Sequence, residues 1–288
     1  MKPFLKWVGG KTQILDFVLG NFPDKINDYH EIFVGGGSVL FAVLDRCNVT
    51  GKLYAYELNK TLIQVYKDVQ IRPISLHEEV MKLFNTYDSL NGTEINRKPT
   101  NENEAMTSKE SYYYWIRHLY KTDTGDRSAM FIFLNKTCFR GVFREGPNGF
   151  NVPYGHYKNT PQFLTIDEFK NISTKLQRVE FKHCDFRDAI QRVKSDDFMY
   201  LDPPYAPETK TSFVGYTKDG FGLKDHETLF EMTKASCAQF VMSNAGVDLV
   251  RRTFGDYKIS DVKARRSINS KNPESMTTEV IVSRCHTK

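Results

Sequence analysis

Several things are missing from this chain of 288 residues. No apolar run approaches the ~20 residues that a membrane-spanning helix needs, and a spanning role is excluded on that reading. The first residues, MKPFLKWVGGK, contain no apolar core of a secretory signal. The five cysteines, at 47, 138, 184, 237 and 285, are scattered and odd in number, and no Cys-x-x-Cys pair occurs. Neither a zinc site nor a disulfide framework is therefore expected, and a reducing compartment fits. The phosphate-loop pattern fails as well. Gly10-Lys11-Thr12 supplies its end, but Leu5 stands where its first glycine belongs. Charge of one sign is not extreme: the net charge is +5, which permits a nucleic-acid partner without requiring one. What is present is apolar substance. Forty per cent of the residues are hydrophobic, with 21 Phe and 15 Tyr, so the chain is not disordered. Its length allows one large domain or a domain carrying an insertion.

The stretch that organises the rest is Phe198-Met199-Tyr200-Leu201-Asp202-Pro203-Pro204-Tyr205. Four apolar residues read as a buried parallel strand. Two prolines stop it, because neither can donate to a sheet ladder. Asp202 then lies at the carboxyl end of a strand, where open α/β sheets hold their ligands. A carboxylate, a carbonyl beside a proline and an aromatic plate can together grip a planar amine, with two acceptors for its hydrogens and one face for stacking. Taken alone, the stretch reads equally as a strand followed by a Pro-Pro turn.

Upstream, residues 12–19 suggest a helix. Tyr29 to Val34 reads as a strand, Gly35-Gly36-Gly37-Ser38 as a tight turn, and the apolar residues after it as a helix. Residues 51–57 suggest a second strand ending in Glu57, twenty positions after Gly37. At that spacing Rossmann-like units place an acid on ribose hydroxyls. The glycines depart from G-x-G-x-x-G, which favours a nucleoside without a pyrophosphate. A plain turn and a surface acid remain the alternatives when either feature stands alone. Residues 61–120 are helical and polar, interrupted by an Asn/Thr/Glu-rich loop over 91–108. From 128 the chain gives an apolar helix and then basic residues alternating with aromatics, with a turn at Glu145-Gly146-Pro147-Asn148-Gly149 that suggests a hairpin tip. Between 109 and 160 eight Lys and Arg face four acids, an excess of four out of the chain's five net charges. Arginines read guanine edges and aromatics stack on or wedge between bases; a solvated hairpin is the plainer alternative. A helix over 165–176, a strand over 179–184, a loop over 206–224, a helix over 225–235 and strands over 239–242, 257–262 and 279–283 complete the reading. The basic loop 265–272, taken alone, is a solvated connection.

Asp202-Pro203-Pro204-Tyr205 resembles the catalytic motif of amino-group DNA methyltransferases. Phe33-Val34-Gly35-Gly36-Gly37 resembles their S-adenosylmethionine loop. Residues 4–11 (FLKWVGGK) resemble the N-terminal motif of the Dam family, the adenine-N6 enzymes of the α order, or D12 class. Residues 150–155 (FNVPYG) and Arg265-Arg266-Ser267-Ile268 are similar to that family too, and the motif order is the α order.

The resemblance implies an α/β fold: a Rossmann-like S-adenosylmethionine-dependent methyltransferase sheet with an inserted helical and hairpin DNA-recognition domain. Residues 1–66 and 161–288 are expected to form the catalytic domain and 67–160 the insert. The implied catalytic residues are Asp202, Pro203, Pro204 and Tyr205. Trp7, Lys11, Phe33, Gly35, Gly37, Glu57 and Asp202 are implied cofactor contacts, with Glu57 replacing the family's usual Asp. Lys6, Phe139, Arg140, Arg144, Asn151, Pro153, Tyr157 and Lys158 are implied DNA contacts. Phe139 stands where an intercalating Tyr is usual, and Arg140 where relatives often carry Asn. The expected activity is transfer of a methyl group from S-adenosylmethionine to N6 of an adenine flipped out of a short, palindromic duplex site. Cytosine-N4 or RNA methylation, or a non-catalytic DNA-binding relative, are the alternatives. Double-stranded DNA is the expected partner, with no metal and no membrane, a cytoplasmic location, a bacterial, phage or viral origin, and a restriction endonuclease as a possible companion.

Overall fold

The computed structural model describes residues 1–122, 124–147, 149–206, 220–265 and 276–284. Asn148 of the expected turn, most of the 206–224 loop, Cys285 and Arg266-Ser267-Ile268 lie outside the described residues. The chain divides into two compact units. The first comprises Met1, 11–60 and 178–288; the second comprises 2–10 and 61–177.

The first unit is built on seven strands: β1 (Tyr29–Glu31), β2 (Leu53–Glu57), β3 (Val179–His183), β4 (Phe198–Leu201), β5 (Gln239–Ala245), β6 (Lys258–Arg265) and β7 (Met276–Arg284). Their order is β3-β2-β1-β4-β5-β7-β6. β3, β2, β1, β4 and β5 pair in parallel, while β7 runs antiparallel to both β5 and β6. This is a mixed α/β, doubly wound sheet of the Rossmann-like kind. Its order reverses between β1 and β4, the switch point at which such sheets bind ligands. All four residues of β4 are buried, as a central parallel strand covered on both faces requires. Alternation sorts the side chains. Ile32, Met199, Leu201, Phe240, Met242, Val280 and Val282 share an apolar cluster with Phe230 and Leu229 of helix Leu223–Ala235. The intervening Tyr29, Glu31, Tyr200 and Ser243 are also buried and carry polar atoms toward the carboxyl edge.

The sequence expectations were longer than the strands at one end and shorter at the other. β1 covers three residues, because the chain turns at Ile32–Val34 into the glycine loop, although the N–H groups of Ile32 and Val34 still donate to the carbonyls of Tyr200 and Tyr56. β5 runs on through Ser243 and Asn244 to Ala245, because β7 pairs with it along that whole length.

The second unit is helical: Lys60–Ile71, Pro73–Ser89, Lys109–Lys121, Arg127–Thr137 and Ile166–Leu176, with a two-stranded ribbon pairing Glu145–Gly146 with Gly149–Phe150. Helix Arg127–Thr137 is buried nearly all round, the mark of a core helix. Its Phe133 packs edge-on against Phe84, Tyr87 and Tyr112. Thr165 and Glu168 form a reciprocal capping box that starts the last helix. Contacts gather residues 2–10, 61–66 and 161–177 here, whereas the sequence reading grouped them with the sheet. Phe4 explains part of the difference, because it packs edge-on to Tyr66 and Phe169. The expected insert, 67–160, lies wholly inside this unit. The loop at 91–108 is not simply exposed: it contains a short helix, Glu102–Ala105, whose Ala105 is buried. Among the described residues no helix is long and apolar enough to cross a membrane.

Candidate active site

Where β4 ends, the chain presents Asp202-Pro203-Pro204-Tyr205 beside β1 on one side and β5 on the other. Lys11 Nζ lies 2.7 Å from Asp202 Oδ2, and the two side chains are 4% and 18% exposed. The same ammonium lies 5.0 Å from the centre of the Tyr205 ring. The Lys11 backbone N–H donates to Ser38 Oγ at 3.0 Å, which ties this segment to the start of helix Ser38–Arg46. Burial pushes the Asp202 carboxyl up to about 6, although the adjacent Lys11 charge pulls it down and Glu279 adds a smaller upward push. Glu31, at the end of β1, is driven further, to about 8, chiefly by burial and in spite of the Tyr29 hydroxyl, which donates to it at 2.6 Å. Near neutral pH Asp202 is mostly a carboxylate and Glu31 mostly a neutral acid. That difference suits Asp202 for accepting hydrogen bonds.

The glycine turn follows β1. Gly37 has φ of 72° and precedes helix Ser38–Arg46, a left-handed conformation that favours glycine. The Gly35 N–H donates to Glu57 Oε2 at 3.1 Å, and the Asn59 N–H donates to Glu57 Oε1 at 3.0 Å. Burial raises the Glu57 carboxyl, with these backbone donors opposing it. The Leu58 N–H is a third backbone donor; a carboxylate offers about four lone-pair sites, so Glu57 retains capacity for a hydroxyl while it braces the turn. Phe33 packs against Phe186 and Phe221.

In the second unit, Asn135 acts as an amide clamp: its Oδ1 accepts the Lys6 N–H at 2.9 Å and its Nδ2 donates to the Lys6 carbonyl at 2.7 Å. Lys6 Nζ donates to the Tyr157 hydroxyl at 3.3 Å and lies over that ring. Tyr157 donates in turn to the Cys138 carbonyl at 2.9 Å. Trp7 stacks on Phe143 and Phe131. The tight turn that follows exposes Phe139, at 46%, and Arg140. Arg140 has φ of 56°, a conformation costing about 1–2 kcal/mol in a non-glycine residue. The Phe139 N–H donates to the Pro153 carbonyl at 2.9 Å and pins the turn. Gly141 follows at φ 67°, and a Cβ there would stand 2.4 Å from Lys6 Cβ. On the ribbon, Arg144 Nε donates to Asn151 Oδ1 at 2.7 Å. Arg144, Asn151, Pro153 and Lys158 are all exposed.

Residues 7–268 match the family model described as D12 class N6 adenine-specific DNA methyltransferase. The chain belongs to that class. Among its relatives, Type II methyltransferase M.MjaIII of Methanocaldococcus jannaschii is 37% identical over 287 residues, covering 94% of each chain. Type II methyltransferase M1.LlaDCHI of Lactococcus lactis subsp. cremoris is 30% identical over 296 residues, covering 98% of this chain and 95% of the relative. The DNA adenine methylase of Haemophilus influenzae is 31% identical over 281 residues, covering 95% and 89%.

The expected residues of this D12 enzyme thus fall into groups. The sheet unit brings together Lys11, Asp202 and Tyr205, and separately Gly35 with Glu57. The helical unit brings together Lys6 with Tyr157, Phe139 with Arg140 and Pro153, and Arg144 with Asn151, and it holds Trp7 against Phe143. Sequence reasoning missed four supports. Glu279 Oε2 accepts the Tyr205 hydroxyl at 2.6 Å. Asn244 Oδ1 accepts the N–H groups of Ala206 and Ala245. Ser243 meets the Tyr200 hydroxyl at 2.8 Å, and Asn135 clamps Lys6. No local motif marks them, because each acts on a residue at least 38 positions away, except for the Asn244 bond to its neighbour.

Proposed function

We propose that this D12 methyltransferase moves a methyl group from S-adenosylmethionine to N6 of an adenine flipped out of a short, palindromic site in duplex DNA. The observation that carries the reading is the Lys11–Asp202–Tyr205 cluster at the switch point of the sheet. Adenine N6 is a weak nucleophile because its lone pair is delocalised into the ring. The Asp202 carboxylate and the Pro203 carbonyl accept hydrogen bonds from its two N–H groups and localise electron density on nitrogen, while Tyr205 stacks on the base; once the methyl has transferred, the surplus proton on N6 leaves to solvent. Since a target inside a duplex is out of reach, the base leaves the stack.

The residues present fit the cofactor: Glu57 retains acceptor capacity beside the glycine turn, and Gly35 and Gly37 add no side chain to it. S-adenosylmethionine supplies an electrophilic methyl group on a sulfonium whose departure leaves a neutral thioether, so no general acid is called for. Lys11, Phe33, Gly35, Gly37 and Glu57 hold and orient it; Trp7 is assigned to it on the family match alone. The chain's contribution to the step is mostly positioning. Lys6, Phe139, Arg140, Arg144, Asn151, Pro153, Tyr157 and Lys158 read or brace the DNA. Exposure of Phe139, Arg140 and Arg144 supports this, since base readout needs side chains that can reach a groove. Relatives named Type II methyltransferases support a place beside a restriction endonuclease, and a DNA substrate supports work in the cytoplasm.

The test is to incubate the purified protein with labelled cofactor and either duplex DNA or RNA, and then to analyse the nucleosides. N6-methyladenine in DNA is expected, and Asp202→Ala should reduce it a hundredfold or more, about the loss of one key polar contact in a preorganised site. Label in N4-methylcytosine or in RNA, or full turnover by the variant, overturns the reading.

A further inference from the structure

We propose that Glu279 is a positioning residue of this active site, acting on the target base through Tyr205. The inference rests on the reading of Tyr205 as the plate on which the base stacks. The topology delivers Glu279 to the site. β7 runs against β5 with Glu279 opposite Ala245, so the start of the reversed strand arrives at the edge where β4 ends in Asp202. There the Tyr205 hydroxyl donates to Glu279 Oε2 at 2.6 Å, a short bond of the charge-assisted kind.

A tyrosine ring has two torsions, and stacking depends on the plane they set. The Lys11 ammonium, 5.0 Å from the ring centre, constrains the ring, and Glu279 fixes its far end. The residues on either side of the motif are also held from β5: Ser243 bonds the Tyr200 hydroxyl, and Asn244 takes the Ala206 backbone N–H. Glu279 extends that bracing to the side chain of Tyr205. It does so against an electrostatic cost, because its charge adds to the forces that raise the Asp202 carboxyl. A carboxylate kept beside another carboxylate calls for a role, and the hydroxyl bond supplies one.

The test uses the full chain, saturating S-adenosylmethionine and duplex DNA, comparing Glu279→Ala, Glu279→Gln, Tyr205→Phe and the double variant Glu279→Ala/Tyr205→Phe. Glu279→Ala should lower kcat about tenfold to a hundredfold, the effect of one lost charge-assisted bond, with KM for DNA and cofactor little changed. Glu279→Gln keeps a carbonyl acceptor and should recover most of the rate. Tyr205→Phe removes the same bond from the other side while keeping the ring, so it needs no change at Glu279 to report. The double variant should be no slower than Tyr205→Phe. Wild-type kcat in Glu279→Ala, no recovery in Glu279→Gln, or losses that multiply in the double variant overturn the inference. A wild type that leaves adenine unmethylated overturns the functional reading and this inference with it.

Discussion

Replacing Lys11 by methionine isolates what its charge does for Asp202. The two side chains meet at 2.7 Å in a nearly closed environment. Burial drives Asp202 upward, Lys11 is the main force against it, and the outcome is a value of about 6. An opposite charge at this range is worth roughly 1–3 pKa units, or about 1.4–4 kcal/mol. Without it Asp202 should titrate at about 7–9. At pH 7.5 a carboxyl titrating near 6 is ionised in roughly 97% of molecules, and one near 8 in roughly 25%.

In the proposed reaction the carboxylate accepts the N6 hydrogens and the neutral acid is a weaker acceptor that adds a donor, so the rate should fall as pH drops through the carboxyl's value. Lys11→Met should therefore move the acid limb of kcat from about 6 to about 8 and cost roughly fourfold at pH 7.5, with recovery by about pH 9.5. Saturating cofactor removes any accompanying change in its affinity. Stability follows the same carboxyl. A folded value above the ordinary 3.8 means stability that is present at low pH and lost as pH rises through the folded value. In the variant that loss continues to higher pH, so its melting temperature should trail the wild type further at pH 9 than at pH 5. An acid limb unmoved in Lys11→Met, with the rate reduced equally at every pH, would refute the electrostatic argument and leave Lys11 as a cofactor contact alone.

Glu57→Ala should weaken S-adenosylmethionine binding about tenfold or more while DNA affinity holds; calorimetry with unchanged cofactor affinity would remove Glu57 from that site. Glu31 is raised to about 8 by burial, so the wild type should lose stability between about pH 5 and 8; Glu31→Gln should flatten that decline in melts across the range, and an unchanged slope counts against it. Arg144→Ala should lose more rate on the proper site than on sites altered at one base pair, about 1–3 kcal/mol of discrimination if the guanidinium reads guanine. An equal loss on every sequence, with a salt slope smaller by about one, would make it a phosphate contact.

The parts of this fold that were legible in the sequence are the local ones. Phe198–Leu201 announced a buried strand by composition, the two prolines announced its end, and residues 165–176 read as a helix. The triple glycine and Glu57 were readable as a pair because their spacing is fixed by one strand–turn–helix–strand unit. What could not be read depends on distant partners. Glu279 sits in an ordinary strand pattern, and its meaning appears only when β7 is laid against β5. Asn135 looks like any polar residue late in a helix until Lys6, 129 positions earlier, is found in its grasp. The grouping of residues 2–10 with the helical unit was hidden for the same reason: Phe4 carries no mark of its partners Tyr66 and Phe169.

The choice of an aspartate at position 202 follows from the charge that the proposed reaction moves. An amide there could accept the same N6 hydrogens without the penalty of burying a charge. It would offer less to the transition state, in which positive charge passes from sulfur onto the base. A carboxylate offers a full negative charge, and inside a protein that is worth more than in water. The difficulty is that burial favours the neutral acid, which would donate a hydrogen where an acceptor is needed. Glu31 illustrates the outcome: buried beside the hydroxyl of Tyr29 with no ion pair among the described residues, it is pushed to about 8. Asp202, less buried at 18% exposed and touched by Lys11, stays near 6, and its own charge adds to the rise of Glu31. Lys11 lowers the field that Asp202 presents, yet without it Asp202 would present almost none at neutral pH. In the proposed reaction the lysine at position 11 and the aspartate at position 202 therefore act as one unit, brought together from well-separated parts of the sheet unit's sequence.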